Sequence, residues 1–199
     1  MPAPTDQTLA YYDENATAFA QSTANVEFSE MQQRFEALLS PGARVLDFGC
    51  GSGRDAKRFL DAGFEVVATD GSAELCRIAA ARIGRPVRQE LFQDLTDTEA
   101  YDGIWACSSI LHLPKGELAD VFAKMRDALR PGGIIYASFK HGTFEGLRRG
   151  RHFTDFTEPE FRGFLASVPG LVIEDLWITG DVRPGRQDEK WLNALLRKE

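Results

Sequence analysis

The apolar residues of this 199-residue chain fall into two kinds of segment that alternate along it. Brief runs such as Val45-Leu46, Val66-Val67-Ala68 and Ile104-Trp105-Ala106-Cys107 are rich in β-branched and aromatic residues and are bounded by Gly or Asp. They read as strands, and between them the apolar positions recur at helical spacing. The first helical stretch runs from Leu9 to about Leu39, with a break near Ser22-Thr23-Ala24-Asn25. It carries Phe28, Met31, Phe35, Leu38 and Leu39 on one face and stops at Pro41-Gly42. Further helices are predicted over 54–62, ended by Gly63, and from the cap residue Ser72 to about Ile83, ended by Gly84. Another runs from Lys115 to Leu129, before Pro131-Gly132-Gly133. A last one, capped by Thr157 with Pro159 in its first turn, reaches about Ser167. Two closing strands, 171–179 and 190–197, flank a turn over 180–188 and suit an antiparallel edge hairpin. The alternation predicts an α/β fold with a doubly wound, mostly parallel sheet and helices on both faces. At this length a single domain over 1–199 is expected, without repeats or low-complexity segments.

The chemistry starts where the first strand ends, in Val45-Leu46-Asp47-Phe48-Gly49-Cys50-Gly51-Ser52-Gly53. Glycines at this point let the backbone take positive φ and let a ligand approach without meeting a Cβ. A glycine loop between a strand and a helix N-terminus is a seat for a nucleotide-like cofactor. The dinucleotide pattern is G-x-G-x-x-G, whereas this chain has G-x-G-x-G with Asp47 two residues ahead. A carboxylate there repels a pyrophosphate and suits a cation. S-adenosylmethionine (SAM) offers an ammonium and a sulfonium. Asp70 closes the second strand, Gly63 to Asp70, and is placed to accept hydrogen bonds from both ribose hydroxyls. Asp94, in Phe92-Gln93-Asp94-Leu95, is a candidate acceptor for the adenine amino group.

These segments resemble the class I SAM-dependent methyltransferases. The resemblance is carried by VLDFGCGSGRD, VVATDGS, FQDL, YDGIWACSSILHL and LRPGGIIYASF, in that order, from about Ala43 to Phe139. It implies a Rossmann-like seven-stranded sheet whose last strand is antiparallel, with SAM across the carboxyl ends of the strands. It divides the domain into an N-terminal helical lid over 1–40, a SAM-binding core over 43–139, and an acceptor-side segment with the hairpin over 140–199. By segment, the cofactor-binding candidates are Tyr11; Asp47, Gly49, Cys50, Gly51, Ser52 and Gly53; Asp70, Gly71 and Ser72; Gln93, Asp94 and Leu95; Cys107 and Ser108. The later segments 138–155, 177–186 and 190–193 are similar to a bacterial subfamily of small methyltransferases, some described as tellurite-resistance-like.

Charge bears on the second substrate. The net charge is −7, with 30 acidic against 23 basic side chains, which disfavours long-range attraction of nucleic acid. Locally the balance differs: Lys140, Arg148, Arg149 and Arg151 cluster beside His141 and His152, with Glu145 alone opposing them. Arginine presents a planar fork for carboxylate or phosphate. Lys140, Arg149, Arg151, Arg183 and Arg186 are therefore the candidate lining of a pocket for a small anionic acceptor, with structural ion pairs to Asp155, Asp181, Asp188 and Glu189 as the competing use.

Methyl transfer from SAM is an in-line displacement at an activated carbon, and a general base is needed only when the acceptor must lose a proton early. His112, just after the fourth strand, is the candidate catalytic base. The three cysteines, Cys50, Cys76 and Cys107, form no C-x-x-C pair, so no metal site is expected and a reduced, cytoplasmic setting fits. The N-terminus has neither the basic region nor the apolar segment of a secretion signal, and no apolar run has membrane-spanning length. The expectation is a SAM-dependent methyltransferase, monomeric or homodimeric, acting on a small molecule and not on nucleic acid or at a membrane. The alternatives are a tRNA or protein methyltransferase and a SAM-binding module without catalysis.

Overall fold

The computed structural model describes residues 3–24, 26–183, 185–186 and 188–199. The N-terminal helical stretch is two helices, α1 (Pro4–Thr23) and α2 (Ser29–Glu36). The core then alternates β1 (Arg44–Phe48), α3 (Arg54–Asp61), β2 (Glu65–Asp70), α4 (Ala73–Ile83), β3 (Arg88–Gln89), β4 (Tyr101–Ala106), α5 (Lys115–Ala128) and β5 (Leu129–Lys140). After β5 come β6 (Glu145–Arg148), β7 (Arg151–Thr154), α6 (Glu158–Leu165), β8 (Leu171–Gly180) and β9 (Lys190–Lys198).

Seven strands form one sheet in the order β3-β2-β1-β4-β5-β9-β8. β1 to β5 pair in parallel, while β9 runs antiparallel to both β5 and β8. The expected doubly wound sheet with an antiparallel last strand is thus the observed one. Strand order turns back between β1 and β4, which opens a crevice at the carboxyl ends of the strands.

Side-chain alternation explains why the central strands read as unbroken apolar runs. Val45, Trp105, Ile134 and Tyr136 point to one face, where Met31 and Phe35 of α2 and Phe59 of α3 cover them. Leu46, Ile104, Ile135 and Ala137 point to the other face, beneath Leu118, Val121, Phe122 and Met125 of α5 and Phe161 of α6. Both faces are buried, so neither carries a polar stripe.

The third strand is a two-residue stub followed by a 3-10 turn over Phe92–Asp94. The basic segment after β5, which carries no strand periodicity, folds as the hairpin β6–β7. Its two turn residues, Arg149 and Gly150, have φ of +53° and +81°, matching the twist of a tight hairpin. The turn between β8 and β9 includes Pro184 and Gln187, which lie outside the described residues.

Candidate methyl-donor and acceptor site

The glycine loop is tied to the neighbouring strand. The N–H groups of Gly49 and Cys50 both donate to the Thr69 carbonyl at 2.9 Å, and Gly51 N–H donates to Asp70 Oδ2 at 2.8 Å. Gly53 caps α3 with φ +73°, and a Cβ there would lie 3.1 Å from Ala79 of α4, so its role is close helix packing. The loop borders a cavity of about 610 Å³ that runs from Asp47 and Asp70 past Tyr12 and His112 to Lys140 and Trp191. This size suits two small ligands side by side.

At the glycine-loop end three polar groups await partners. Asp47 is 2 % exposed, and its Oδ2 has no hydrogen-bond partner. Burial, and then the charge of Asp55, push its carboxyl well above the usual range, so a bound cation would relieve both. Asp70 uses one lone pair of each oxygen on Gly51 N–H and Ser72 N–H, leaving the others for a diol. Gln93 donates to Glu117 at 2.7 Å, but its buried Oε1 is unpartnered at the cavity wall beside Leu91 and Phe92. A cation, a diol and an amino donor are what SAM carries, and the residues present fit it.

The structure redistributes several of the cofactor candidates. Asp47, Gly49, Cys50, Gly51, Ser52, Asp70, Gly71, Gln93, Cys107 and Ser108 line the cavity, and Tyr11, Gly53, Ser72, Asp94 and Leu95 do not. Ser72 is the α4 cap: its Oγ accepts from Leu75 N–H at 3.1 Å and donates to Asp13 at 2.6 Å. Asp94 points to solvent and Leu95 packs into the α5 side of the core. The ring of Tyr11 lies over the Arg151 guanidinium at 4.6 Å, and its neighbour Tyr12 faces the cavity instead. Tyr12 shares a helix face with Thr5, Thr8, Leu9 and Phe19, all on the lining, so counting by three and four from Leu9 would have selected it. Glu90 also lines the cavity, as do Arg54 and Phe92, which stand inside the quoted motifs but were not among the site candidates.

Asp70 gives the site a pH dependence. Burial raises its carboxyl to about 6, against the Ser72 and Gly51 N–H hydrogen bonds that favour the ionised form. In the unfolded chain an aspartate titrates near ~3.9. Between these values the native state holds the extra proton, so this group's contribution to stability declines as pH rises through the window. Ribose hydroxyls donate to the ionised form. Affinity for S-adenosylhomocysteine is therefore expected to fall below about pH 6, by up to roughly tenfold per pH unit. Calorimetric titrations across that range check it. The Asp70→Asn protein should bind weakly with a shallower slope, the remainder belonging to Asp47, and an equal slope in both proteins would rule Asp70 out.

The acceptor end is more sharply divided than its charges suggested. Lys140 is buried, 3.1 Å from Asp181 and paired also with Glu189, with its ammonium 4.0 Å above the Trp191 ring. Arg183 grips Asp181 through Nε at 2.9 Å, and Arg186 lies 3.8 Å from Glu189. Those three candidates are neutralised by carboxylates, because the hairpin β8–β9 folds its own acids onto them. Among the described residues Arg149 and Arg151 line the cavity without a carboxylate contact. Arg151 is held by the rings of Tyr11, Tyr12 and Phe153, and its buried Nε has no partner.

His112 lies on the lining with both ring nitrogens engaged, Nδ1 with the His152 carbonyl at 2.6 Å and Nε2 with the Tyr12 hydroxyl at 2.8 Å. Burial lowers its pKa to about 3, so the imidazole is neutral near pH 7.

Residues 45–133 match the methyltransferase domain family. A putative methyltransferase, YqeM, of Bacillus subtilis (strain 168) is 27% identical over 141 residues, covering 65% of this chain and 57% of the relative. The malonyl-[acyl-carrier protein] O-methyltransferase of Salmonella typhimurium is 29% identical over 146 residues, covering 67% of this chain and 57% of that protein. The matched segment, these relatives and the fold support a class I SAM-dependent methyltransferase. It spans less than two thirds of the length of these two curated relatives. The fold is shared over its full length with the 1,6-didemethyltoxoflavin-N1-methyltransferase of Burkholderia thailandensis, solved with 1,6-didemethyltoxoflavin and S-adenosylhomocysteine. That likeness has a TM-score of 0.77 at 23% identity and covers 91% of the solved chain.

In a methyltransferase of this class the glycine-loop end is the donor side. Asp47, the loop N–H groups, Asp70 and Gln93 would hold SAM, which supplies a methyl carbon made electrophilic by positive sulfur. No helix among the described residues is long and apolar enough to cross a membrane.

Proposed function

We propose that the protein transfers the methyl group of SAM to a small, anionic acceptor bound at the Tyr12–Arg151 end of the same cavity. The observation that carries this reading is Arg151: a guanidinium on the cavity wall with aromatic rings around it, no carboxylate beside it, and an unpartnered buried Nε. An anion completes that environment, and a planar fork fixes its orientation as well as its charge. The remaining work of the chain is alignment and exclusion of water. α1 lies across the donor side as a lid, with Phe19 against Gly51 and Leu9 against Gly71, and the β6–β7 hairpin closes the acceptor side. An acceptor atom that sheds its proton only as the methyl bond forms needs no strong base, which accords with a histidine held neutral.

The test has two stages. Calorimetry should show S-adenosylhomocysteine binding, and labelled SAM should pass its methyl to members of a panel of small carboxylic acids, phenols and heterocycles. Donor binding without transfer to any of them would favour a binding module. For an acceptor so found, Arg151→Gln should weaken acceptor affinity roughly 10- to 100-fold, the worth of a charge-assisted contact, with donor affinity within about twofold. Arg183→Gln should leave acceptor affinity unchanged, because that guanidinium is engaged by Asp181.

A further inference from the structure

Four groups along one wall of the cavity form a hydrogen-bond chain whose direction is set from its far end. The His152 carbonyl can only accept, so His112 Nδ1, 2.6 Å away, carries the ring proton. Nε2 is then an acceptor, and the Tyr12 hydroxyl at 2.8 Å donates to it. Arg151 Nη1 donates in turn to Tyr12 Oη at 3.1 Å. The imidazole cannot turn to reverse this order, because Tyr12 and Phe153 meet it edge-on at centroid distances of 5.5 and 4.8 Å. Tyr12 has a single proton and it is committed to His112. What its oxygen offers the cavity is a lone pair.

We propose that Tyr12 Oη, made a pure hydrogen-bond acceptor by His112, receives the O–H or N–H of the acceptor's nucleophilic atom, so that the site selects a protic acceptor bearing an anionic substituent for Arg151. This rests on the small-acceptor reading above and names the chemistry of its reacting atom. The acceptor atom's lone pair forms the new bond to the methyl carbon, and the electron pair of the broken carbon–sulfur bond stays on sulfur. The acceptor atom becomes acidic as that bond forms. Its proton is held by the hydrogen bond to Tyr12 Oη and is lost to water as the product leaves, while His112, whose pKa burial lowers to about 3, keeps the Tyr12 proton directed away from the cavity. Tyr12 is thus a catalytic residue, and His112 a positioning residue acting through it. The same arrangement explains why a histidine with no solvent-facing nitrogen belongs on this wall.

Two probes separate the ideas: 3-hydroxybenzoate, an anion with a proton to donate, and 3-methoxybenzoate, the same anion without one. With protein saturated in S-adenosylhomocysteine, the hydroxy compound should bind about tenfold more tightly, the scale of one hydrogen bond. Tyr12→Phe should abolish that preference while leaving the methoxy compound's affinity unchanged. His112→Phe should close the gap by tightening 3-methoxybenzoate, because the freed Tyr12 proton can then donate to its oxygen as well as to a hydroxyl; loss of packing alone would not tighten a ligand. In the wild-type protein, 15N resonances should show His112 protonated at Nδ1, which needs no variant to fold. Equal affinities in the wild type, an unchanged preference in Tyr12→Phe, or a proton on Nε2 each overturns the proposal. If neither benzoate binds while S-adenosylhomocysteine does, the small-anion reading fails and this one with it. If S-adenosylhomocysteine itself does not bind, the donor assignment is at fault.

Discussion

A Gly49→Ala protein is expected to lose S-adenosylhomocysteine affinity by roughly a hundredfold, about 2.8 kcal/mol. Gly49 has φ +85°, where an L side chain costs ~1–2 kcal/mol. Space is the larger obstacle. The added methyl would lie 2.5 Å from Ser109 Cβ and 3.0 Å from the Phe92 ring. Neither neighbour can retreat: Ser109 Oγ is hydrogen-bonded to the Phe48 carbonyl at 2.7 Å, and Phe92 packs edge-on against Phe48 at 4.8 Å. The loop must move instead, which breaks the Gly49 and Cys50 bonds to Thr69 and pulls Gly51 N–H from Asp70. Gly84→Ala is the control. It has φ +67°, nothing within 4 Å and no place in the cavity, so it should lose some stability and no ligand affinity. Calorimetry and thermal melts on both proteins decide the matter; a Gly49→Ala affinity within about threefold of wild type would contradict the tight-approach argument.

Trp105→Ala should be the most damaging single change to folding, at about 4–5 kcal/mol or more. The indole is fully buried, stacked 4.0 Å from Tyr136 and flanked by Phe35 and Phe59. Its Nε1 also donates to Asp55 Oδ2 at 2.9 Å. Truncation therefore leaves a cavity at the centre of the sheet and removes a partner from a buried carboxylate. Against a domain stability of ~5–15 kcal/mol, much of the native population is at risk at 37 °C. Trp105→Phe keeps most of the packing and forfeits the hydrogen bond, so about 2 kcal/mol is expected. Urea unfolding of the two variants separates packing from hydrogen bonding. Equal losses would mean that the Asp55 contact dominates.

How much of this was legible in the chain depends on the distance over which each feature is encoded. The glycine loop, Asp47 and Asp70 belong to a continuous strand-turn-helix signal, and the sheet they imply is the sheet observed. Helix ends were legible where a single residue acts, as at Ser72 and Gly84. The choice between Tyr11 and Tyr12 turned on one step of about 100° around a helix whose packing partner was unknown. For Lys140, Arg183 and Arg186 the chain left two uses open, pocket lining or ion pairs, and it is the β8–β9 pairing that brings Asp181 and Glu189 alongside and makes the ion pairs. The β6–β7 hairpin was invisible for a related reason: it is two short strands stabilised by what they rest on, α1 and the His112 turn, and not by an alternation of their own.

α1 touches both halves of the reaction. Its Asp13 accepts from Ser72 beside the glycine loop, its Thr8 hydroxyl accepts the His152 N–H of the hairpin, and Tyr12 between them faces the cavity. With the acceptor at the proposed end of the cavity, the two ligands share this helix as a boundary. Any free energy that one of them gains by settling this helix is felt by the other, and linkage requires the gain to be equal in both directions. The change that each ligand makes in the other's affinity is one thermodynamic quantity, so each affinity should be measured in the presence and absence of the other ligand.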